Sequence, residues 1–214
     1  MMITHFDNRF HTRVLDRLRL IERIWYRSEI LNSVRRKTAP ILVNIRHKIG
    51  LNQKRPLHLH LGCGKRSLKG YVNIDWRKTK ATDLVCNILK IPYPDNAVDT
   101  IEIYHVIEHL PRHELPKALK EWFRVMLPGG QLIIEYPDFD QAVKEYLKGN
   151  ENRIDNIFGL QRFSGDTHLF GYNFKRLRKL LEQAGFTNIK NVIPTDYHVE
   201  TEPCLRIECS KVGQ

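Results

Sequence analysis

An apolar strand that ends in a glycine turn, followed by an acid at the end of the next strand, constrains this chain more than any other feature. Residues 57–64 read Leu-His-Leu-His-Leu-Gly-Cys-Gly, and Asn-Ile-Asp follows at 73–75. Because Gly62 and Gly64 have no side chains, backbone N–H groups in this turn can approach a ligand closely. A carboxylate such as Asp75 can accept hydrogen bonds from a ribose diol. The pattern predicts a nucleotide-type site.

The number of residues between the glycine turn and Asp75 indicates which class of nucleotide the site could bind. In dinucleotide-binding folds, about 20 residues and a helix separate the two. Residues 65–72 leave room only for a turn or a short helix, and the pattern Gly-x-Gly-x-x-Gly is absent. The sequence therefore argues against dinucleotide binding.

Three further motifs follow in order along the chain. Residues 92–99 read Pro-Tyr-Pro-Asp-Asn-Ala-Val-Asp, residues 106–110 read Val-Ile-Glu-His-Leu, and residues 124–130 read Arg-Val-Met-Leu-Pro-Gly-Gly. With the glycine turn, these motifs resemble the class I S-adenosylmethionine-dependent methyltransferases, in particular their methyltransferase type 11-like group. The resemblance covers about residues 57–137 and implies S-adenosylmethionine as the cofactor.

The resemblance also implies which residues contact the cofactor. The candidates are His60, Gly62, Cys63, Gly64, Asp75, Trp76, Asn87, Ile88 and His105. His60 stands where many relatives carry an acid facing the methionine amino group, and Arg66 stands where many have a third glycine. Asn87 stands where an acid often meets the adenine amino group, and a carboxamide oxygen can accept the same hydrogen bond.

The order of apolar segments favours an α/β fold: a Rossmann-like open twisted sheet, mostly parallel, with an antiparallel C-terminal strand pair and helices on both faces. Strands are predicted near 57–61, 71–75, 82–86, 98–104, 130–136, 187–193 and 204–210. Helices are predicted near 112–126 and 177–184, where Gly185 ends the second. Residues 138–174 break this rhythm, so we expect an insert that covers the substrate within a methyltransferase domain of residues 56–214.

In this fold the acceptor should lie beyond the carboxyl ends of strands 4 and 5, near residues 105–109 and 136–138. A hydroxyl acceptor needs a general base, and an imidazole titrates near physiological pH. His168 in the insert is the first candidate, with an ordinary surface histidine as the alternative, and His105 is the second. Asp138 either orients the acceptor or caps the helix that starts near Phe139.

Residues 105–109 also read His-x-x-Glu-His, a pattern that inverted zinc peptidases use. We reject a peptidase, because the motif follows a strand in the order of the methyltransferase motifs. Small-RNA 3′-terminal 2′-O-methyltransferases and ubiquinone-pathway O-methyltransferases have a similar Glu-x-x-Glu-His, associated there with a divalent ion. The favoured interpretation has no metal: His105 lines the cofactor pocket, and Glu108 and His109 fix a helix start through hydrogen bonds. The alternative is a metal bound by His105, Glu108, His109 and His168.

Residues 1–55 contain 13 Lys and Arg against 4 Asp and Glu, which is most of the chain's net charge of +11. Their spacing predicts a basic amphipathic helix with apolar residues such as Val14 and Leu18 on one face. The helix could pack on its own domain, lie on an anionic membrane, or bind nucleic acid; the last is least favoured because aromatic residues are not interleaved with the charge.

The composition bounds the location and the redox state. No apolar stretch approaches the roughly 20 residues of a membrane span, and a signal peptide is not indicated, so we expect a cytoplasmic protein. The four cysteines form no Cys-x-x-Cys pair, which indicates reduced thiols.

The main hypothesis is an S-adenosylmethionine-dependent methyltransferase that O-methylates an anionic, saccharide or lipid-linked acceptor, with possible peripheral contact to an anionic membrane. The enzyme alternative is an RNA methyltransferase. The non-enzyme alternative is a catalytically inactive methyltransferase-fold binding protein, which His60, Arg66 and Asn87 favour. The sequence does not indicate an oligomeric state.

Overall fold

The computed structural model describes residues 56–213, and the predicted basic helix lies outside the described residues. These residues form one seven-stranded sheet with the strand order β3-β2-β1-β4-β5-β7-β6. The strands are β1 (His58–Leu61), β2 (Val72–Asp75), β3 (Leu84–Val85), β4 (Val98–Tyr104), β5 (Met126–Pro137), β6 (Phe186–Val192) and β7 (Cys204–Lys211). Strand β7 pairs antiparallel with β5 and β6, and the other pairings are parallel. The predicted fold class is confirmed.

Four helices lie between these strands: α1 (Leu115–Val125), α2 (Phe139–Leu147), α3 (Arg153–Phe158) and α4 (Phe174–Ala184), with short 3₁₀ helices at Ile107–His109 and Tyr197–Glu200. Helix α4 starts three residues earlier than predicted, because Asn173 caps it by accepting a hydrogen bond from the N–H of Arg176. Gly185 ends it in the left-handed conformation, as predicted. None of the described helices is long and apolar enough to cross a membrane.

Two strands differ in length from the prediction for local reasons. Strand β3 is short because the preceding residues form a turn, in which the Thr82 hydroxyl accepts from the N–H of Thr79 and donates to the carbonyl of Arg77. Strand β5 is longer than predicted, since Met126 already pairs with Val98 before an irregularity in the ladder. Gly129, with φ of 81°, lies within this irregular start.

The core holds the parallel strands in place and thereby fixes one edge of the sheet. Helix α1 buries Leu119 and Trp122 completely, and the Trp122 indole donates to the carbonyl of Ile88 at 3.0 Å. Parallel strands β1, β2, β4 and β5 end at the same edge, and antiparallel β7 begins there because Cys204 pairs with Pro137. The candidate residues after each strand therefore meet at this edge.

Candidate functional site

The glycine turn after β1 has two glycines with different surroundings. Gly62 has φ of 70°, and a Cβ added there would overlap the Val106 side chain. Gly64 has φ of 53°, but a Cβ there would meet no atom within 4 Å. The chain thus needs glycine at position 62 for packing, and it leaves open space beside position 64.

The acid after β2 faces this turn. Asp75 is 3% exposed, and its Oδ2 accepts a hydrogen bond from the N–H of Gly64 at 2.8 Å. Its Oδ1 accepts from the N–H of Arg77 at 2.8 Å. Each carboxylate oxygen retains a second acceptor position. The open space beside Gly64 and these remaining positions fit the ribose of a nucleoside.

Three other cofactor candidates lie near the turn; two of them are buried and one is exposed. His60 is buried, and its Nδ1 lies 3.0 Å from Asn73 Oδ1; burial lowers its pKa, so the ring is neutral. Cys63 is also buried, with Sγ near the Thr82 hydroxyl. Trp76, in contrast, is 60% exposed directly after Asp75. A planar apolar surface is therefore available next to the acid.

Two further candidates lie at the start of the segment after β3. Asn87 is exposed, and its Oδ1 accepts a hydrogen bond from the N–H of Leu89 at 2.8 Å. The side-chain amide group and one acceptor position of Asn87 remain for a ligand. Ile88 packs against the core, where its carbonyl holds the Trp122 indole.

Arg66, which replaces a third glycine, connects the turn to the loop before β7. It forms an ion pair with Asp196, and its guanidinium lies 5.5 Å from the Tyr104 ring and 5.6 Å from the Tyr197 ring. Arg66 thus connects the glycine turn with the segment that precedes β7.

His105 lies directly after β4 in a left-handed conformation with φ of 50°. Its Nε2 is 3.6 Å from Cys204 Sγ, its Nδ1 is 3.4 Å from Glu202 Oε1, and its ring stacks on His198 at 3.8 Å. Burial alone would lower the pKa of His105, but Glu108 and the other neighbouring carboxylates outweigh burial and raise it.

The sequence interpretation missed these partners of His105. Glu202, Cys204 and His198 come more than 90 residues later in the chain. No spacing signal relates them to His105, because the pairing of β7 with β5 brings them there.

Glu108, His109 and His168 form a second cluster. One ligand atom from each of these side chains lies within 4.8 Å of the others. His109 Nδ1 lies 3.0 Å from the carbonyl of Thr167, and His168 Nδ1 lies 2.8 Å from the carbonyl of Asn156. Because a carbonyl only accepts, both Nδ1 atoms carry the proton and both Nε2 atoms have free lone pairs.

Glu108 is the least satisfied group of this cluster. It is 3% exposed, and neither carboxylate oxygen has a hydrogen-bond partner; the nearest donor is His105 Nδ1 at 3.5 Å. Burial would raise the pKa of Glu108, but the contact with the His105 imidazole outweighs burial and lowers the pKa to about 2. The site thus holds an ionised carboxylate beside free imidazole nitrogens.

The predicted helix-start hydrogen bond from the Glu108 side chain is wrong, because the 3₁₀ helix at Ile107–His109 has no side-chain cap. Instead, the backbone carbonyl of Glu108 accepts from Leu169 and Phe170, and the His109 ring contacts Thr167. Both residues therefore hold the insert and not the helix start. The capping interpretation of Asp138 is confirmed, since its Oδ1 accepts from the N–H of Gln141 at 3.1 Å.

The alternative four-residue metal set is only partly assembled. Glu108, His109 and His168 converge, whereas His105 groups with Glu202 and Cys204 or with Asp196 and His198. Two imidazoles and one carboxylate match a donor set that divalent transition metals use. The carbonyls on both Nδ1 atoms are the outer partners that orient such ligands.

The comparisons with known proteins agree with this geometry. Residues 67–134 match a family model described as a methyltransferase domain. The chain is 32% identical over 100 residues to a probable S-adenosylmethionine-dependent methyltransferase from Mycolicibacterium smegmatis, which covers 47% of this chain and 33% of that protein. It is 27% identical over 118 residues to a ubiquinone/menaquinone biosynthesis C-methyltransferase from Brucella canis, which covers 48% and 41%. The chain thus spans well under half the length of these two relatives.

A solved structure supports the fold. The crystal structure of an S-adenosylmethionine-dependent methyltransferase from Archaeoglobus fulgidus aligns with a TM-score of 0.52 at 16% identity, covering 80% of this chain and 94% of that one. Fold, glycine turn and matched family model together define a class I S-adenosylmethionine-dependent methyltransferase domain. Residues 67–134 match this class of domain, whose cofactor is S-adenosylmethionine.

Proposed function

We propose that the chain transfers the methyl group of S-adenosylmethionine to an acceptor hydroxyl. The observation that carries this proposal is the glycine turn with Asp75, which has the shape and the acceptor positions that a nucleoside needs. Gly62, Gly64 and Asp75 bind the ribose side. His60, Cys63, Trp76, Asn87, Ile88 and His105 are proposed as the remaining contacts.

The bound cofactor supplies an electrophilic methyl group on a sulfonium. The acceptor oxygen forms the new bond to that methyl carbon while the carbon–sulfur bond breaks, and the hydroxyl proton must leave. His168 is our proposed base, because its Nδ1–H donates to Asn156 and leaves Nε2 free to take the proton. Burial lowers the pKa of His168, so the imidazole is neutral and able to accept at pH 7.

The insert supports this role by its position. His168 is held by Asn156, and the next two residues are held by the carbonyl of Glu108 in the 3₁₀ helix after β4. The insert therefore covers the edge where the acceptor should lie and can exclude water from the reaction. His105 is the second candidate base, but the carboxylates around it raise its pKa and favour the protonated form.

A second candidate function is transfer to carbon, favoured by the printed name of the Brucella canis relative. The same base would take the proton from the acceptor in that reaction. Mass spectrometry of the product distinguishes the two, because an O-methyl ether and a C-methyl group fragment differently. The cytoplasmic location and the membrane contact of residues 1–55 stay predictions.

The alternative use of the second cluster is a divalent metal ion bound by Glu108, His109 and His168. The unpartnered carboxylate and the two free Nε2 atoms fit such an ion. When bound, a divalent ion would orient and acidify an acceptor hydroxyl. In that case His168 would serve as a ligand, and its Nε2 would not be available as a base.

Calorimetric titration of the purified protein with S-adenosylhomocysteine tests the proposed function, with metal analysis of the same sample. We expect micromolar binding that Asp75→Ala weakens about 100-fold, since two hydrogen bonds to a charged group contribute about 3 kcal/mol. Asp95→Ala is the matched control: its carboxylate pairs with Arg124 on the surface and should not affect binding.

The outcomes separate the proposals. Absence of binding by well-folded wild-type protein would overturn the methyltransferase proposal. One equivalent of a divalent metal that is lost in Glu108→Gln would assign the cluster to a metal. Cofactor binding without metal would leave His168 as the base.

A further inference from the structure

A cleft of about 470 Å³ is lined almost entirely by the insert, and none of the cofactor candidates lines it. Its apolar walls come from helix α2, helix α3 and the segment after α3: Phe139, Ile157, Phe158, Leu169 and Phe170. Phe158 and Leu169 are each 53% exposed at its surface. A cleft of this size and lining suits a small hydrophobic molecule.

Positive charge accompanies the apolar lining. The Arg176 guanidinium lies 5.1 Å from the ring of Phe170, and the Arg112 guanidinium lies 5.5 Å from the same ring. Within residues 56–213, neither guanidinium has a carboxylate within 4.0 Å. Asp140, the acid of the cleft, accepts a hydrogen bond from the Asn173 amide at 2.9 Å. Arg176 lines the cleft and therefore offers one guanidinium to a ligand with a negative group, whereas Arg112 lies beside the same ring outside the lining.

The inner end of the cleft is polar. His168 lines both the cleft and a smaller cavity of about 10 Å³, which Glu108, Tyr136 and Tyr172 also line. Both carboxylate oxygens and both phenol hydroxyls are buried without hydrogen-bond partners. A space of this size holds about one oxygen atom with its hydrogen. One hydroxyl of a ligand would donate to one Glu108 oxygen and could accept from both phenol hydroxyls.

We propose that this cleft binds the methyl acceptor, and that the acceptor is a flat hydrophobic ring compound with one acidic group and one hydroxyl. The inference rests on the proposed methyl transfer and narrows its substrate. The rings lie on the aromatic lining, the acidic group pairs with Arg176, and the hydroxyl reaches His168. A sugar without apolar rings lacks the surface that this lining requires.

Fluorescence titration with two matched probes tests the proposal in the absence of cofactor. 1-Anilinonaphthalene-8-sulfonate has flat rings and an anionic group, and N-phenyl-1-naphthylamine has the same rings without the charge. We expect Arg176→Gln to weaken binding of the sulfonate about 10-fold and to change binding of the neutral probe less than twofold. Phe158→Ser should weaken both probes, because both use the apolar wall.

Two controls keep the test decisive. Arg178→Gln lies on the same helix, pairs with Glu182 at 2.8 Å, and should leave both probes unchanged. Arg176→Met replaces Arg176→Gln if that variant does not fold, as judged by near-UV circular dichroism. Equal effects of the Arg176 variant on both probes, or no effect on either, would overturn the proposal.

The probe titration and the cofactor titration test two different proposals, so either proposal can be rejected without the other. The expected probe pattern without S-adenosylhomocysteine binding would retain the cleft as an anion-and-ring site and reject the methyltransferase. Cofactor binding without the probe pattern would retain the methyltransferase and reject this acceptor class.

Discussion

Two buried carboxylates at the same edge of the sheet differ in whether the fold supplies them with hydrogen-bond donors. Asp75 and Glu108 are each 3% exposed. Asp75 receives backbone hydrogen bonds on both oxygens, whereas neither oxygen of Glu108 has a partner. Buried polar groups are nearly always paired in folded proteins. Asp75 is therefore held in place without a ligand while each of its oxygens keeps one acceptor position, whereas Glu108 leaves both of its oxygens for a ligand to satisfy.

The two sides also differ in how the chain builds them. The turn and the acid of the cofactor side lie 11 residues apart, and the intervening backbone connects two neighbouring strands. The acceptor side joins residues 105–109, 156–172 and 196–204, through contacts such as that between Leu169 and Glu108. A change on the cofactor side should therefore disturb the sheet itself, and a change on the acceptor side should act more locally.

The largest expected effect is on the cofactor side. Gly62→Ala should lower the free energy of unfolding by about 2–4 kcal/mol, because its Cβ overlaps Val106 and the residue has a positive φ. Urea denaturation measures this change. Gly64→Ala is the matched control: it shares the positive φ but has open space, so it should cost about 1 kcal/mol. Equal costs would show that the overlap with Val106 does not determine the cost at position 62.

The difference between the two sides explains how much could be predicted from the sequence. The glycine turn, the position of Asp75 and the approximate ranges of the strands were predictable, because each depends on neighbours in the chain or on the apolar pattern of the strands. The early start of α4 depends on a single cap at Asn173 and was not predicted.

The acceptor side could be predicted only as a region. The insert and His168 were expected there, but the carbonyls of Asn156 and Thr167 that fix the imidazoles are found only in three dimensions. Glu202 and Cys204 gave no signal, because antiparallel pairing of β7 brings them to His105. The pairing of strands that are distant in the sequence thus brings together residues that no local sequence pattern could relate.

Two tyrosines, one with a hydrogen-bond partner and one without, test the same comparison with smaller expected changes in the free energy of unfolding. The Tyr104 hydroxyl donates to Glu102 Oε2 at 2.6 Å, whereas the buried Tyr136 hydroxyl has no partner. Tyr104→Phe should lower the free energy of unfolding by about 1.5 kcal/mol, and Tyr136→Phe should leave it unchanged or raise it slightly, because an unpaired hydroxyl is removed. Urea denaturation of the ligand-free protein measures both changes. If Tyr136→Phe lowered the free energy of unfolding as much as Tyr104→Phe, the Tyr136 hydroxyl would not be unpaired as the structure indicates.

The smallest expected effect lies within the insert. Asp166 is 6% exposed and accepts from Arg162 through its backbone N–H at 3.0 Å, Nε at 2.8 Å and Nη2 at 3.1 Å. Because the Arg162 side chain is 63% exposed, solvent weakens the pair, and Asp166→Asn should cost about 0.5–1 kcal/mol. Hydrogen exchange of residues 159–167 should speed up about threefold, while exchange in β4 stays unchanged.

The pH dependence of this exchange tests the same contact. Hydrogen bonds from Arg162 lower the pKa of Asp166, so its contribution is present above the usual Asp value of about 3.9 and is lost as the pH falls through the lower native pKa. The difference between wild type and Asp166→Asn should therefore be full at pH 7 and vanish below that native pKa. Asp155→Asn, an exposed acid on α3, should match wild type at every pH. A difference that persists in strong acid would contradict the ionised contact between Asp166 and Arg162 as its cause. A difference that extends to β4 would mean that the insert unfolds together with the sheet, and the acceptor side would then not act more locally than the cofactor side.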